Sequence, residues 1–358
     1  MRYYLNRLGR ALLTVWAAAT VTFVLIRLMP GGPITQLRGQ LAQQGYSAQQ
    51  IERRLAAAKS RMNLNPDASI PQQYVEYMLS LAQGDLGTTI NPKYMTGEGP
   101  RTVASLVAER LPWTVFVMTT ATILIFAIAI VWGAIVAYSE GSRFDKGSSV
   151  LGILLGSVPF YVMAFALIIV FAYGVNLSVF GVNVGQYLDL FPARNRMTQR
   201  LLGPERGTLE FLLEVLHHAA LPIASVVIVQ AGLQMLAMRA NSIQVLGEDY
   251  VRVARLRGLP DRRISTRYVA RNAVLPMYTG FLTLIGFNIG GSVILEQVFQ
   301  YRGIGLLMFN SIELRAYPVL MGVFLVFTVT VVVAILIADL TYSRIDPRVT
   351  TGESSEAY

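Results

Sequence analysis

An all-α, polytopic membrane protein with about six transmembrane helices is predicted by three features of this chain. Hydrophobic residues make up 54% of its 358 residues and charged residues only 14%, against roughly a quarter charged in a soluble domain. The apolar residues gather into long runs, and the charges fall in the gaps between them. The arginines concentrate in alternate gaps, the pattern of cytoplasmic loops in membrane proteins.

Six stretches are long enough to cross about 30 Å of hydrocarbon as a helix. They run over 8–29, 113–138, 149–174, 217–241, 276–299 and 318–341. The first follows Arg2, Arg7 and Arg10 and has no small-residue cleavage site after it, so it reads as a retained span rather than a signal peptide. The second carries no charge between Trp113 and Ser139. Pro159 lies in the third and Pro222 in the fourth, and proline is tolerated in a packed membrane helix. With six spans, four basic groups share one side: the N-terminal arginines, Arg143 with Lys146, the cluster from Arg252 to Arg271, and Arg344 with Arg348. That side is the cytoplasm, and it holds both termini.

The chain then divides into an N-terminal tail with the first span (1–30), an external segment (31–112), a five-span core (113–346) and a cytoplasmic tail (347–358). The core includes an external insert at 175–216 and a basic loop at 247–276. In the external segment, Ser47 and Gln50 form a capping box for a helix ending near Met62. Asn65-Pro66 and Ile70-Pro71 break the chain, and Gly84-Asp85-Leu86-Gly87 turns it. Between them Tyr74, Tyr77, Met78 and Leu81 share one helical face. The external segment and the insert read equally as an outer cap or as folded spacers.

Composition excludes several chemistries. There is no cysteine, so no disulfide, thiolate ligand or cysteine nucleophile. The net charge of +9 follows from topology and calls for no nucleic acid. The only histidines, His217 and His218, are adjacent and point about 100° apart on a helix, so no metal site is expected. Ser157, in Gly156-Ser157-Val158-Pro159, is a conceivable nucleophile without an evident base. The spans carry little charge at mid-depth, unlike those of ion-coupled transporters and channels. No internal repeat is visible, which also argues against a secondary transporter.

The most informative segment is the loop after the fourth span. Gly247-Glu248-Asp249-Tyr250-Val251-Arg252-Val253-Ala254-Arg255-Leu256-Arg257-Gly258-Leu259-Pro260 reads as a short helix and a stop. Glu248 and Asp249 suit the positive end of the helix dipole. Gly258 is a natural left-handed terminator, Pro260 prevents continuation, and Asp261 can cap the next helix. Tyr250, Val251 and Ala254 share a face ringed by Arg252 and Arg255. Such a helix suits a groove on another protein or an anionic lipid surface.

This loop resembles the EAA loop of ABC importer permeases, which pairs an alanine with a glycine four residues later and ends near Leu-Pro; Ala254, Gly258, Leu275 and Pro276 match it. The resemblance extends along the chain to the B-type permeases of dipeptide, oligopeptide and nickel importers. It rests on Leu28-Met29-Pro30-Gly31-Gly32-Pro33, Gly84-Asp85-Leu86-Gly87-Thr88, Glu109-Arg110-Leu111-Pro112-Trp113-Thr114 and Arg271-Asn272-Ala273-Val274-Leu275-Pro276. Further matches are Leu295-Glu296-Gln297-Val298-Phe299, Gly303-Ile304-Gly305 and Asp346-Pro347-Arg348.

The resemblance implies a type I ABC importer permease fold in a prokaryotic inner membrane, among membrane lipid. It implies a second homologous permease subunit, two ATP-binding subunits and an extracytoplasmic substrate-binding protein as partners. The chain has no G-x-x-x-x-G-K-[ST] sequence, so ATP and Mg are expected on the partner subunits, with no cofactor and no catalytic residue in this chain. Glu248, Asp249, Tyr250, Val251, Arg252, Ala254, Arg255 and Gly258 would form the coupling helix, with Tyr250, Val251 and Ala254 filling the ATPase groove. Peptides are the implied cargo. The long insert at 175–216 keeps oligosaccharides, nickel or another small solute as alternatives. Ser157, Pro159, Gly286, Gly290, Gly291 and Glu296 are the pathway or gate candidates. The three glycines read first as helix-packing sites, and Glu296 reads as a vestibule residue or as a bond to a neighbouring helix.

Overall fold

The computed structural model describes residues 2–28, 32–43, 45–61, 68–89, 91, 94–96, 99–172, 178–179, 182–183, 191–194, 208–260, 263–291 and 293–345. The fold is all-α. In chain order the helices are α1 (Arg2–Leu28), α2 (Gly32–Gln43), α3 (Ala48–Arg61), α4 (Ile70–Ala82), α5 (Val103–Tyr138), α6 (Arg143–Gly156) and α7 (Phe160–Phe171). There follow α8 (Thr208–Leu246), α9 (Asp249–Leu256), a π-helical segment (Ile264–Ala270), α10 (Arg271–Gly291), α11 (Val293–Val298), α12 (Ile304–Glu313) and α13 (Tyr317–Ile345). Two antiparallel pairs of two-residue strands interrupt them. β1 (Met95–Thr96) pairs with β2 (Gly99–Pro100), and β3 (Ser178–Val179) with β4 (Val182–Asn183).

Among the described residues four helices are long and apolar enough to cross a membrane: α1, α5, α8 and α13. The pair α6–α7 makes a fifth if its two halves are taken as one span. The uninterrupted span expected over 149–174 is therefore corrected, because the chain bends by 95° between Gly156 and Phe160. Pro159 has no N–H to give and disfavours helical backbone at the residue before it; with φ −59° and ψ 137° it caps α7 instead of continuing α6. The expected fifth span falls on α10 and α11, with Ser292 between them outside the described residues. α5 and α8 begin about ten residues before their predicted starts and contain Pro112 and Pro222 within the helix.

The chain separates into two compact units. The first comprises Met1–Thr114 with Gly303–Leu336. In it α3 begins as predicted: Ser47 N–H donates to Gln50 Oε1 at 3.1 Å, and Gln50 N–H returns a bond to Ser47 Oγ at 3.4 Å. Leu41, Ile51 and Leu55 then bury together against Tyr46. Pro71 lies in the first turn of α4, where its missing N–H costs nothing; Asn65-Pro66 lies outside the described residues. The α4 face carrying Tyr74 and Tyr77 meets α1, with both rings against Phe23 at 5.4 and 5.5 Å and the Tyr74 hydroxyl 2.8 Å from Thr20 Oγ1. Gly84 and Gly87 turn the chain with φ of 77° and 81°, and Asp85 Oδ1 accepts the Gly87 N–H at 2.8 Å. Thr114 Oγ1 accepts the Ile304 N–H at 2.9 Å, at the start of α12.

The second unit comprises Val115–Arg302 with Ile337–Tyr358. Its centre is α8, packed by α6, α7 and α10. Gly152 of α6 faces Gly232 of α8 so closely that a β-carbon on Gly152 would lie 2.9 Å from the Gly232 carbonyl oxygen. Gly133 of α5 sits equally tightly on Met235 and Met238. These contacts suit helices packing in lipid, where close backbone approach replaces the hydrophobic driving force.

Candidate functional site

Gly247 ends α8, and Glu248, with extended backbone, opens α9. Asp249 sits in the first turn, and Arg255 in the last, the charge order that the helix dipole favours. The C-terminus is a complete Schellman motif. The Gly258 N–H bonds the Arg255 carbonyl at 2.9 Å, and the Leu259 N–H bonds the Ala254 carbonyl at 3.3 Å. Gly258 takes φ +67°, a conformation that strains residues carrying a β-carbon. Ala254 and Leu259 supply the accompanying apolar contact. The four-residue spacing of Ala254 and Gly258 is thus the spacing of a helix-terminating motif.

α9 has two apolar sides. Val251, fully buried, and Ala254 pack on Ile264 and Val269, beside Val245, Leu246 and Tyr268. Tyr250, Val253 and Leu256 are exposed, Leu256 by 81%, and the exposed Arg252, Arg255 and Arg257 surround them. Among the expected groove-filling residues only Tyr250 points outward; Val251 and Ala254 serve to seat the helix on its own chain. Asn272 bonds the Tyr250 hydroxyl at 3.0 Å and the Tyr268 carbonyl at 2.8 Å, so the start of α10 orients the exposed ring. Glu248 and Asp249 are exposed. Asp261, the expected cap of the next helix, lies outside the described residues.

The pathway candidates lie on other elements of the same unit. Ser157 and Pro159 form the α6–α7 bend and are both exposed; the Ser157 hydroxyl donates to the Ile153 carbonyl at 2.8 Å. Gly286, Gly290 and Gly291 lie on α10. Glu296 lies on α11 and is only 2% exposed. α11 packs on α7, which brings the helix of Glu296 against the helix that Pro159 starts.

Three features were missed from the sequence. Val253 and Leu256 complete the exposed apolar stripe. Asn288 of α10 donates to Thr122 of α5 at 2.9 Å, a polar link between helices. Arg239 of α8 grips Asp145 of α6 with two bonds, Nε to Oδ1 at 2.5 Å and Nη2 to Oδ2 at 2.8 Å. That pair had a signal: an arginine inside an apolar span needs a partner, and Ser142 with Asp145 has the spacing of a helix start. Glu214, His217 and His218 bring ligand atoms within 4.8 Å of one another. Within this group His218 Nδ1 lies 3.1 Å from the Glu214 carbonyl oxygen and 3.4 Å from its carboxylate.

Several long apolar helices, with a short helix whose apolar stripe stands exposed, define a multi-pass membrane protein. The chain belongs to the family of binding-protein-dependent transport system inner membrane components, which matches residues 129–351. Among its relatives is the oligopeptide transport system permease protein AppB of Bacillus subtilis, 31% identical over 97% of this chain and 98% of AppB. The di/tripeptide transport system permease protein DppB of Pseudomonas aeruginosa is 28% identical over 98% of each. The inner membrane ABC transporter permease protein YejB of Escherichia coli O157:H7 is 26% identical over 97% of this chain and 98% of its own length.

Proposed function

We propose that this chain is one of two related permease subunits of an ATP-driven importer of di- and oligopeptides, and that it forms half of the translocation pathway. An extracytoplasmic binding protein delivers the peptide. Two ATP-binding subunits on the cytoplasmic side, where both termini of this chain also lie, bind Mg and ATP and hydrolyse it. α9 is the coupling helix that docks on one of them. Peptide cargo is supported by relatives named for oligopeptide and di/tripeptide transport.

The observation that carries this reading is the division of labour on α9. Val251 and Ala254 anchor it to its own chain, and Tyr250, Val253 and Leu256 stand outward within an arginine rim. An exposed apolar stripe with a charged rim has the anatomy of a protein-binding surface. Glu248, Arg252 and Arg255 make the rim contacts. The bend at Ser157 and Pro159, with Gly286, Gly290, Gly291 and Glu296, belongs to the region that opens and closes around the peptide.

Copurification of the ATP-binding subunits with a Leu256→Asp variant tests the docking. Burying a leucine side chain is worth about 2 kcal/mol, and such anchors dominate interfaces. The variant is expected to reach the membrane at normal level and to lose both the bound ATPase and peptide uptake. A variant that copurifies and transports normally contradicts the assignment.

A further inference from the structure

We infer that Asp145 and Arg239 form a strut that carries movement of α9 to the bent pair α6–α7, making them positioning residues for transport. The inference rests on α9 being the coupling helix. Asp145 is 3% exposed, and its carboxylate is fully engaged. Besides the Arg239 fork it accepts the Gly141 N–H at 2.9 Å and the Ser149 hydroxyl at 3.4 Å. Its own N–H bonds Ser142 Oγ at 3.1 Å, so the carboxylate is fixed to the first turn of α6. A two-bond guanidinium–carboxylate fork sets orientation as well as distance.

Two turns further along, Gly152 and Gly232 touch backbone to backbone. α6 and α8 are therefore joined at two points about 10 Å apart along α8, which blocks both sliding and rotation of one helix on the other. α9 is seated on Val245 and Leu246 at the end of α8, a short step beyond Arg239. α6 ends at the 95° bend into α7, and α11 with Glu296 packs on α7. A displacement of α9 thus reaches the bend through α8, the ion pair and α6 as linked rigid pieces. Spatial continuity is not itself coupling, so the test is a mutant cycle.

The experiment uses the complete transporter in proteoliposomes, with Asp145→Asn, Arg239→Gln, the double variant and Arg239→Lys. Three quantities are read: copurified ATPase, ATP hydrolysis with and without peptide-loaded binding protein, and peptide uptake. Both single variants are expected to keep the ATPase bound and to hydrolyse ATP at the unstimulated rate. Uptake and the stimulation by binding protein should each fall about tenfold, within the usual range of coupling between sites. The double variant should be no worse than either single, because the two side chains act as one unit. Arg239→Lys, which keeps the charge but not the fork, should fall between.

Wild-type uptake in either single variant overturns the proposal. So do losses that multiply in the double variant. If the neutral variants fail to assemble, Arg239→Lys decides: an assembled complex with wild-type stimulation and uptake overturns the strut, and one with reduced stimulation supports it. Failure of the coupling-helix reading is separate, since it appears as retained ATPase binding and uptake in Leu256→Asp whatever the ion-pair variants do.

Discussion

An alanine and a glycine four residues apart are common in any sequence, and what gives this pair meaning is the bonding at the end of α9. Ala254 supplies the carbonyl that Leu259 closes on, and Gly258 supplies the positive φ that lets the chain turn back. A β-carbon added to Gly258 would meet nothing within 4 Å, so substitution there strains the backbone without a clash. Gly258→Ala should destabilise the loop by about 1 kcal/mol and Gly258→Asn by less, since asparagine tolerates left-handed backbone. Faster hydrogen exchange across α9 in the alanine variant would register it. Tyr74 and Tyr77 make a matched pair. The Tyr74 hydroxyl bonds Thr20 at 2.8 Å, whereas the Tyr77 hydroxyl is buried without a partner, and burial pushes its phenol up to about 12. Tyr77→Phe should be neutral or stabilising and Tyr74→Phe should cost about 1 kcal/mol, read as an unchanged or raised thermal unfolding midpoint for the first and a lowered one for the second in the detergent-solubilised protein. The shared face of the two tyrosines was legible from helical spacing; which hydroxyl finds a partner was not, because Thr20 lies 54 residues from Tyr74.

At the level of elements, prolines of the same type have opposite outcomes. Pro112, Pro222 and Pro276 lie within continuous helices, while Pro159 separates α6 from α7. α8 runs through Pro222 as one helix and is packed by α6, α7 and α10. Sequence registers the proline but not the packing around it, which is why an unbroken third span was expected. The glycines behave similarly. Gly147 and Gly152 both lie in α6, but an added β-carbon meets nothing at Gly147 and backbone at Gly152. Gly147→Ala should stabilise by up to about 1 kcal/mol through helix propensity. Gly152→Ala should destabilise by about 1–3 kcal/mol through overpacking. Denaturant titration of the two variants in micelles should move the midpoint in opposite directions.

For the whole molecule, hydropathy alone was enough for an all-α membrane protein, because a lipid-crossing helix must satisfy its own backbone and therefore announces itself in long apolar runs. The number of spans was less legible: among the described residues four helices pass on length and apolarity, five with the bent pair, where six were expected. The short helix α9 was legible in its boundaries and termini but not in its orientation. α9 carries apolar residues on both sides, and only the packing of Ile264 and Val269 against Val251 and Ala254 decides that Tyr250, Val253 and Leu256 are the residues offered outward. On the proposed function, peptide movement through this chain is driven by ATP hydrolysis on subunits docked at α9. The most direct measurement is uptake of a labelled oligopeptide into proteoliposomes holding this chain with its partner permease, its ATP-binding subunits and peptide-loaded binding protein. Uptake should require both ATP and the binding protein, and it should vanish with Leu256→Asp. Uptake driven by an ion gradient without ATP, or undiminished in that variant, would contradict the account.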